Sequence, residues 1–169
     1  CEIGKRCTVV TKDNSFFRKY TLVVAIKNSK CIGWILYEKG AMKKERFVEF
    51  LEKFVFRKYK NHLILLDNAG SHRNNYVRES IKNSGNDYLF TVPYTPKTNP
   101  IEAFFNQLKH YLKLNKKILK YNEIKIEIKN ALKNITKQNY KNYFDYAFNK
   151  QNFKIPSKSS TRKKKPKIY

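Results

Sequence analysis

The sequence predicts an α/β fold, on three observations. Two runs rich in β-branched and aromatic residues, 16–26 and 31–37, are separated by a short polar turn and are typical of a β-hairpin. A continuous apolar run, 62–67, is typical of a strand buried on both faces, and it ends in Asp67. A short helix and a second strand follow this run, and strand, helix and strand in succession indicate a βαβ crossover.

The other elements are predicted by hydrophobic periodicity and by turn residues. From 43 to 59, apolar residues recur at the spacing of one helical face. Asn99 and Pro100 form a typical helix start, an Asn cap followed by Pro at the first helical position. The predicted helices are 43–59, 73–82, 100–114, 121–136 and 139–149, and the strand after the second of them is 88–92.

One globular domain is predicted over residues 1–150. A chain of 169 residues with 41% hydrophobic and 15% aromatic residues is large and apolar enough for a single core. Residues 151–169 contain few groups that could be buried and a block of like charge, which predicts a basic, disordered tail. Such a tail could contact phosphates or act as a nuclear-import signal.

The charge balance favours a polyanionic partner. Lys and Arg number 37 against 13 acids, which gives a formal net charge of +24 and a field that would hold the chain on nucleic acid. An AT-rich gene would also enrich Lys, Asn, Ile and Tyr whatever the function. Charge alone therefore leaves both explanations open.

Cysteine usage and hydropathy predict an intracellular protein that is neither secreted nor membrane-bound. Cys1, Cys7 and Cys31 are odd in number, and their spacing fits neither a disulfide framework nor a zinc pair. The longest apolar runs are far shorter than the roughly 20 residues that span a bilayer. We expect the protein to lie in the compartment that holds DNA, which is the nucleus in a eukaryotic host.

Two acids are distinguished by their context. Asp67 ends the predicted buried strand, and Glu102 lies in the first turn of a predicted helix. In open α/β sheets, sites form beyond the carboxyl ends of strands, and crowded carboxylates repel unless a cation lies between them. Hard oxygen ligands suit Mg²⁺ or Mn²⁺, and two such ions could support phosphoryl displacement. Alternatively, Asp67 caps a turn and Glu102 completes a capping box with Asn99.

The segments around these acids resemble a known family. Leu65-Leu-Asp-Asn-Ala-Gly-Ser-His72 and Pro93-Tyr-Thr-Pro-Lys-Thr-Asn-Pro-Ile-Glu102 are similar to the core motifs of mariner-type transposases and their bacterial insertion-sequence relatives, the DDE superfamily. Thirty-four residues, 68 to 101, separate the two acids, which is the separation found in one major branch of that superfamily. The similarity extends over roughly residues 4 to 114 and includes Gly4-Lys-Arg-Cys7.

The resemblance implies a ribonuclease H-like fold, a mixed sheet flanked by helices. It also implies metal-dependent cleavage of DNA ends followed by strand transfer, with Mg²⁺ or Mn²⁺ in a two-metal site. Carried over by motif position, Asp67 and Glu102 are the catalytic acids and metal ligands. The supporting positions are Asn68, His72, Asn99 and Pro100. For His72, a solvated turn residue is the alternative.

DNA is the implied partner, and a homodimer is an expectation from the family alone. Basic residues after Glu102 are candidates for a DNA track, although helices commonly present solvated lysines that bind nothing in particular. The residues in question are Lys109, Lys113, Lys116 and Lys117.

The chain also departs from the family pattern. The family places its first catalytic Asp on a strand upstream of the segment matched by Gly4–Cys7, so we expect this chain to lack that acid, that strand and the helix-turn-helix region. Either a fragment of an active enzyme or a decayed copy fits this expectation. A domesticated, non-catalytic nucleic-acid-binding remnant and a ribonuclease H-type nuclease acting on hybrids are the alternative functions.

Overall fold

The computed structural model describes residues 20–93, 95–113 and 120–149. The segment Gly4–Cys7, the predicted tail 151–169 and the candidate residues Lys116 and Lys117 lie outside them. The described strands are β1 (Thr21–Lys27), β2 (Lys30–Tyr37), β3 (Leu63–Leu66) and β4 (Asp87–Phe90). The helices are α1 (Lys44–Leu51), α2 (Asn75–Asn83), α3 (Pro100–Lys113), α4 (Tyr121–Asn134) and α5 (Lys137–Phe148).

The predicted hairpin is confirmed, and it lies between two hydrophobic clusters. β1 and β2 pair antiparallel, with Val24 opposite Trp34. Side chains alternate across a strand, so neighbouring residues face opposite ways. Val23 and Ala25 pack against a first cluster built by α1, α2 and β3, while Val24 belongs to a second cluster built by α3, α4 and α5. Each face of the hairpin is covered by one of the two clusters, which explains why both faces are apolar.

The predicted helix over 43–59 is confirmed, with one irregular turn. α1 continues into a π-helical turn over Glu52–Phe56. Phe47, Phe50 and Leu51 are buried in the first cluster, as the periodicity predicts. In the wider turn, the adjacent residues Val55 and Phe56 are both buried as well.

The predicted βαβ crossover is also confirmed, because β3 and β4 pair in parallel with α2 between them. The prediction that β3 is buried on both faces is wrong. Ile64 and Leu66 face the first cluster, whereas the side chain of Leu63 is 58% exposed and that of Leu89 on β4 is 52% exposed. α1 and α2 cover one face of the β3–β4 pair. The described helices leave much of its other face exposed.

The described strands form two separate two-stranded sheets, one antiparallel and one parallel. A cavity of about 340 Å³ lies between them. It is lined by β1, β3, the inner face of α1 and the first turn of α3. Within the described ranges, no helix is both long and apolar enough to cross a membrane.

The second cluster supports α3. Phe104 and Leu108 of α3 are 0% and 1% exposed, and they pack against Tyr140 and Tyr143 of α5. The side chain of Trp34 is partly buried against the same cluster. α3 is thus fixed on the hairpin by packing along most of its length.

Candidate functional site

Asp67 directly follows β3, at the carboxyl end of the strand, and two groups hold one of its oxygens. The backbone N–H of Ala69 donates to Oδ1 at 3.0 Å. The Nδ1–H of His72 donates to the same oxygen at 2.6 Å. His72 reaches back because its own N–H donates to the carbonyl of Ala69 in a tight turn. The loop after β3 therefore fixes the direction in which the carboxylate points.

These hydrogen bonds favour the charged form of Asp67. The bond from His72 is the main reason that its pKa lies below the ordinary value, partial burial opposes this shift, and the bond from Ala69 adds to it. The side chain of Asp67 is 49% exposed, against 18% for His72. A carboxylate that is ionised and half exposed is available to a cation.

Sequence reasoning did not identify Phe47 as a neighbour of this site. The ring of Phe47 lies over the ring of His72, with centroids 4.0 Å apart and an interplanar angle of 31°. Phe47 itself is 5% exposed and belongs to the first cluster. The sequence assigns it to the apolar face of α1, and no local signal relates it to His72.

Asn68 joins the ends of the two parallel strands. Its side-chain amide donates to the carbonyl of Thr91 at 2.6 Å, and the N–H of Thr91 donates to the carbonyl of Leu66 at 2.8 Å. Asn68 therefore extends the pairing of β3 and β4 beyond their last residues. This contact gives Asn68 a structural role next to Asp67.

Glu102 is held by its helix and not by side-chain partners. The side-chain oxygen of Asn99 accepts from Ile101 N–H at 3.3 Å, its carbonyl accepts from Glu102 N–H at 3.1 Å, and the buried Pro100 opens α3. The predicted helix start is thus confirmed. The N–H of Asn99 donates to Pro96, so it is not available for a capping box with Glu102. Among the described residues, nothing pairs with the exposed Glu102 carboxylate.

Each candidate acid follows a residue that lines the cavity between the sheets. Leu66 and Ile101 line it, and each of the two acids is the next residue after one of these. Over the described ranges, no three or more His, Cys, Asp or Glu side chains come together in a group that could hold a metal ion. Among the described candidate residues, His72 and Asp67 are joined by a side-chain hydrogen bond.

The predicted DNA track is described only in part. Lys109 is exposed on α3, and α3 ends at Lys113. Glu102, Asn106 and Lys109 are exposed and spaced by four and three residues, so they lie along one face of the helix. These three residues therefore form one exposed face of α3, which begins at the candidate acid Glu102.

Structures of the Mos1 mariner transposase share this fold. The Mos1 strand transfer complex matches with a TM-score of 0.69 and 21% sequence identity over 87% of this chain and 45% of the Mos1 chain. A paired-end complex with Mn gives a TM-score of 0.70 at 21% identity over 87% of this chain and 46% of that one. The Mos1 catalytic domain gives 0.69 at 20% identity over 77% of this chain and 69% of that one.

These matches show a ribonuclease H-like fold, as predicted. The chain spans about half the length of the Mos1 chains in the DNA complexes. A comparison with curated proteins found no match. The family of DDE superfamily endonucleases matches residues 1–125, and the chain belongs to this family.

Proposed function

We propose that this chain is catalytic-domain sequence of a cut-and-paste DNA transposase, in which Asp67 and Glu102 hold Mg²⁺ or Mn²⁺. The observation that carries the proposal is that each of the two acids directly follows a residue that lines one cavity, Asp67 after Leu66 at the end of β3 and Glu102 after Ile101 at the start of α3. Membership of the DDE superfamily endonucleases supports it. Mos1 structures with Mg and with Mn support the choice of metal.

The donor set fits such an ion. Mg²⁺ and Mn²⁺ prefer oxygen ligands, and both acids are open to solvent. When bound, the ions would activate the attacking oxygen and stabilise the leaving oxygen at a DNA phosphate. Asp67 would supply the oxygen that His72 and Ala69 leave free, and Glu102 would supply a carboxylate on a rigid helix end. Asn99 and Asn68 would keep the two backbones in place.

DNA would lie along the exposed face of α3. Asn106 and Lys109 follow Glu102 on that face, about 6 and 10 Å along the helix axis at 1.5 Å per residue. A phosphate near Glu102 would therefore have a neighbour within reach of Lys109. Lys113, Lys116 and Lys117 are further candidates from the sequence alone, and the net charge of +24 would add attraction that weakens with salt. We further propose a homodimer in the compartment that contains DNA.

A nicking assay on supercoiled plasmid with Mn²⁺ tests the proposal. We expect nicking by a version of the chain that is extended upstream in its native reading frame, and loss of nicking when that version carries Asp67→Asn or Glu102→Gln. Asp87→Asn is a matched control, because Asp87 lies at the opposite end of the parallel strand pair and pairs with Lys82. Nicking that survives both site substitutions would overturn the proposed roles of the acids.

The same preparation separates the alternative functions. DNA binding that is retained without nicking, and without any effect of Mn²⁺, would support a non-catalytic remnant. Faster cleavage of an RNA–DNA hybrid than of duplex DNA would support a ribonuclease H-type nuclease. We expect duplex DNA to be the preferred substrate.

A further inference from the structure

We propose that Phe47 and His72 position Asp67, so that Asp67 presents a single oxygen, Oδ2, to the metal ion. This inference rests on the proposed function, because it assumes that Asp67 is a metal ligand. It assigns a role to a residue of the hydrophobic core, Phe47, that lies outside the motif.

The first step of the argument concerns the two oxygens of Asp67. Oδ1 accepts both from Ala69 N–H and from His72 Nδ1–H, at 3.0 and 2.6 Å. A carboxylate oxygen has two lone-pair sites, so these donors occupy Oδ1. Oδ2 remains for the ion. Asp67 is therefore a monodentate ligand whose orientation is set before the metal arrives.

The second step concerns what holds His72. A single hydrogen bond leaves an imidazole ring free to tilt about the line that joins donor and acceptor. The ring of Phe47 packs on its face with centroids 4.0 Å apart, which restricts that tilt. Phe47 is in turn fixed by the first cluster. The direction of Oδ2 is therefore set by the packing of α1 and by the loop together.

The third step is that backbone hydrogen bonds close the loop in addition to these two side-chain contacts. Backbone bonds from His72 and Arg73 N–H to the carbonyl of Ala69 already close the turn. The side chain of Asp67 is half exposed, so water could satisfy Oδ1 if His72 were replaced. Ordering of the carboxylate for a ligand is the function that remains for the Phe47–His72–Asp67 contact.

Direct Mn²⁺ binding to the full chain, measured by electron paramagnetic resonance of the free ion without DNA, tests this proposal. His72→Asn keeps an N–H donor near the position of Nδ1, whereas His72→Leu fills similar space without a donor. We expect His72→Leu to weaken Mn²⁺ binding about tenfold, the lower end of the range for residues behind a metal ligand. His72→Asn should retain most of the affinity. Phe47→Leu should weaken Mn²⁺ binding more than His72→Asn does and less than His72→Leu does.

Two controls make the outcomes separable. His62→Leu removes an exposed imidazole that bonds to the carbonyl of Lys60 and packs edge-on against Tyr59, and it should leave Mn²⁺ affinity unchanged. Thermal unfolding without metal checks that each variant folds. If Asp67→Asn weakens Mn²⁺ binding but His72→Asn and His72→Leu bind Mn²⁺ with equal affinity, the positioning role of His72 is overturned. Unchanged affinity in Asp67→Asn would instead overturn the proposed function.

Discussion

The two candidate acids are held in opposite ways. Asp67 lies in a loop, and its direction is set by two hydrogen bonds and an aromatic ring behind one of the donors. Glu102 has no side-chain partner among the described residues, but the helix that carries it is fixed at its start by Asn99 and along its length by Phe104. A loop acid requires side-chain contacts for its orientation, whereas a helix acid takes its position from the backbone.

This difference extends to the core. The support of Asp67 comes from the first cluster, through Phe47. The support of Glu102 comes from the second cluster, under α3. The two proposed metal ligands thus depend on two different packing units. Changes in one unit should therefore affect one acid more than the other.

The largest expected effect is that of Phe104→Ala. Phe104 is fully buried under α3, so its truncation should cost about 3–5 kcal/mol of the free energy of unfolding. Guanidinium unfolding followed by circular dichroism measures this cost. Phe148→Ala is the control, because Phe148 is 54% exposed and its loss should cost far less. Similar costs for the two variants would contradict the packing described for α3.

The second effect is alkaline destabilisation of the second cluster. Burial raises the pKa of Tyr140 and of Tyr143 from 10.0 to about 12. In the unfolded chain these phenols ionise near the ordinary value, whereas in the folded chain they stay neutral longer. The contribution of these two phenols to the free energy of unfolding is therefore fully present below pH 10 and is lost as the pH rises toward 12. The free energy of unfolding against pH should show this decline, and Tyr143→Phe should reduce it. An unchanged decline would contradict the assignment to Tyr143.

The third effect concerns the start of α3. Asn99→Ala removes the cap, and it should cost about 1 kcal/mol of stability. Asn99→Ser is the matched control, because Ser retains a capping oxygen. Under the proposed function, Asn99→Ala should also weaken Mn²⁺ binding by Glu102, and Asn99→Ser should do so less. Equal stability of the two variants would show that the cap does not hold α3.

The smallest effect is the acid sensitivity of Asp67 without metal. Its pKa lies below the ordinary 3.8, chiefly because of the bond from His72. The carboxylate therefore adds stability that is present above the ordinary pKa and is lost as the pH falls through the folded pKa. The effect is small because the side chain is half exposed. Comparing the acid unfolding of the chain with that of His72→Leu measures it. Identical acid profiles would argue against the His72 contact.

Most of the fold was predictable from local patterns. The hairpin, the βαβ unit and the helices were all predicted by periodicity and turn chemistry, and the structure confirms them. The burial of β3 was not predicted correctly, because an apolar run shows that a strand can be buried but not how many faces are covered. Leu63 belongs to such a run and is still 58% exposed.

Site residues could be predicted from the sequence only where they lie in a recognisable motif. Asp67, Glu102 and Asn99 stand in recognisable segments. Phe47 does not, since it lies 25 positions before His72 and reaches it only through tertiary packing. Asn68 was predicted to support the site, but its bond to Thr91 depends on the parallel register of β3 and β4. Tertiary contacts of this kind can be identified only in the folded structure.

The most direct test of the account is whether Asp67 and Glu102 belong to one metal site. Mn²⁺ affinity should be measured for the chain, for Asp67→Asn, for Glu102→Gln and for the double variant, with Asp87→Asn as the charge control. We expect each single substitution to weaken Mn²⁺ binding and the double variant to be little weaker than either one, because acids in one metal site are energetically coupled. Losses that simply add in the double variant, or a loss as large in Asp87→Asn, would contradict a shared metal site.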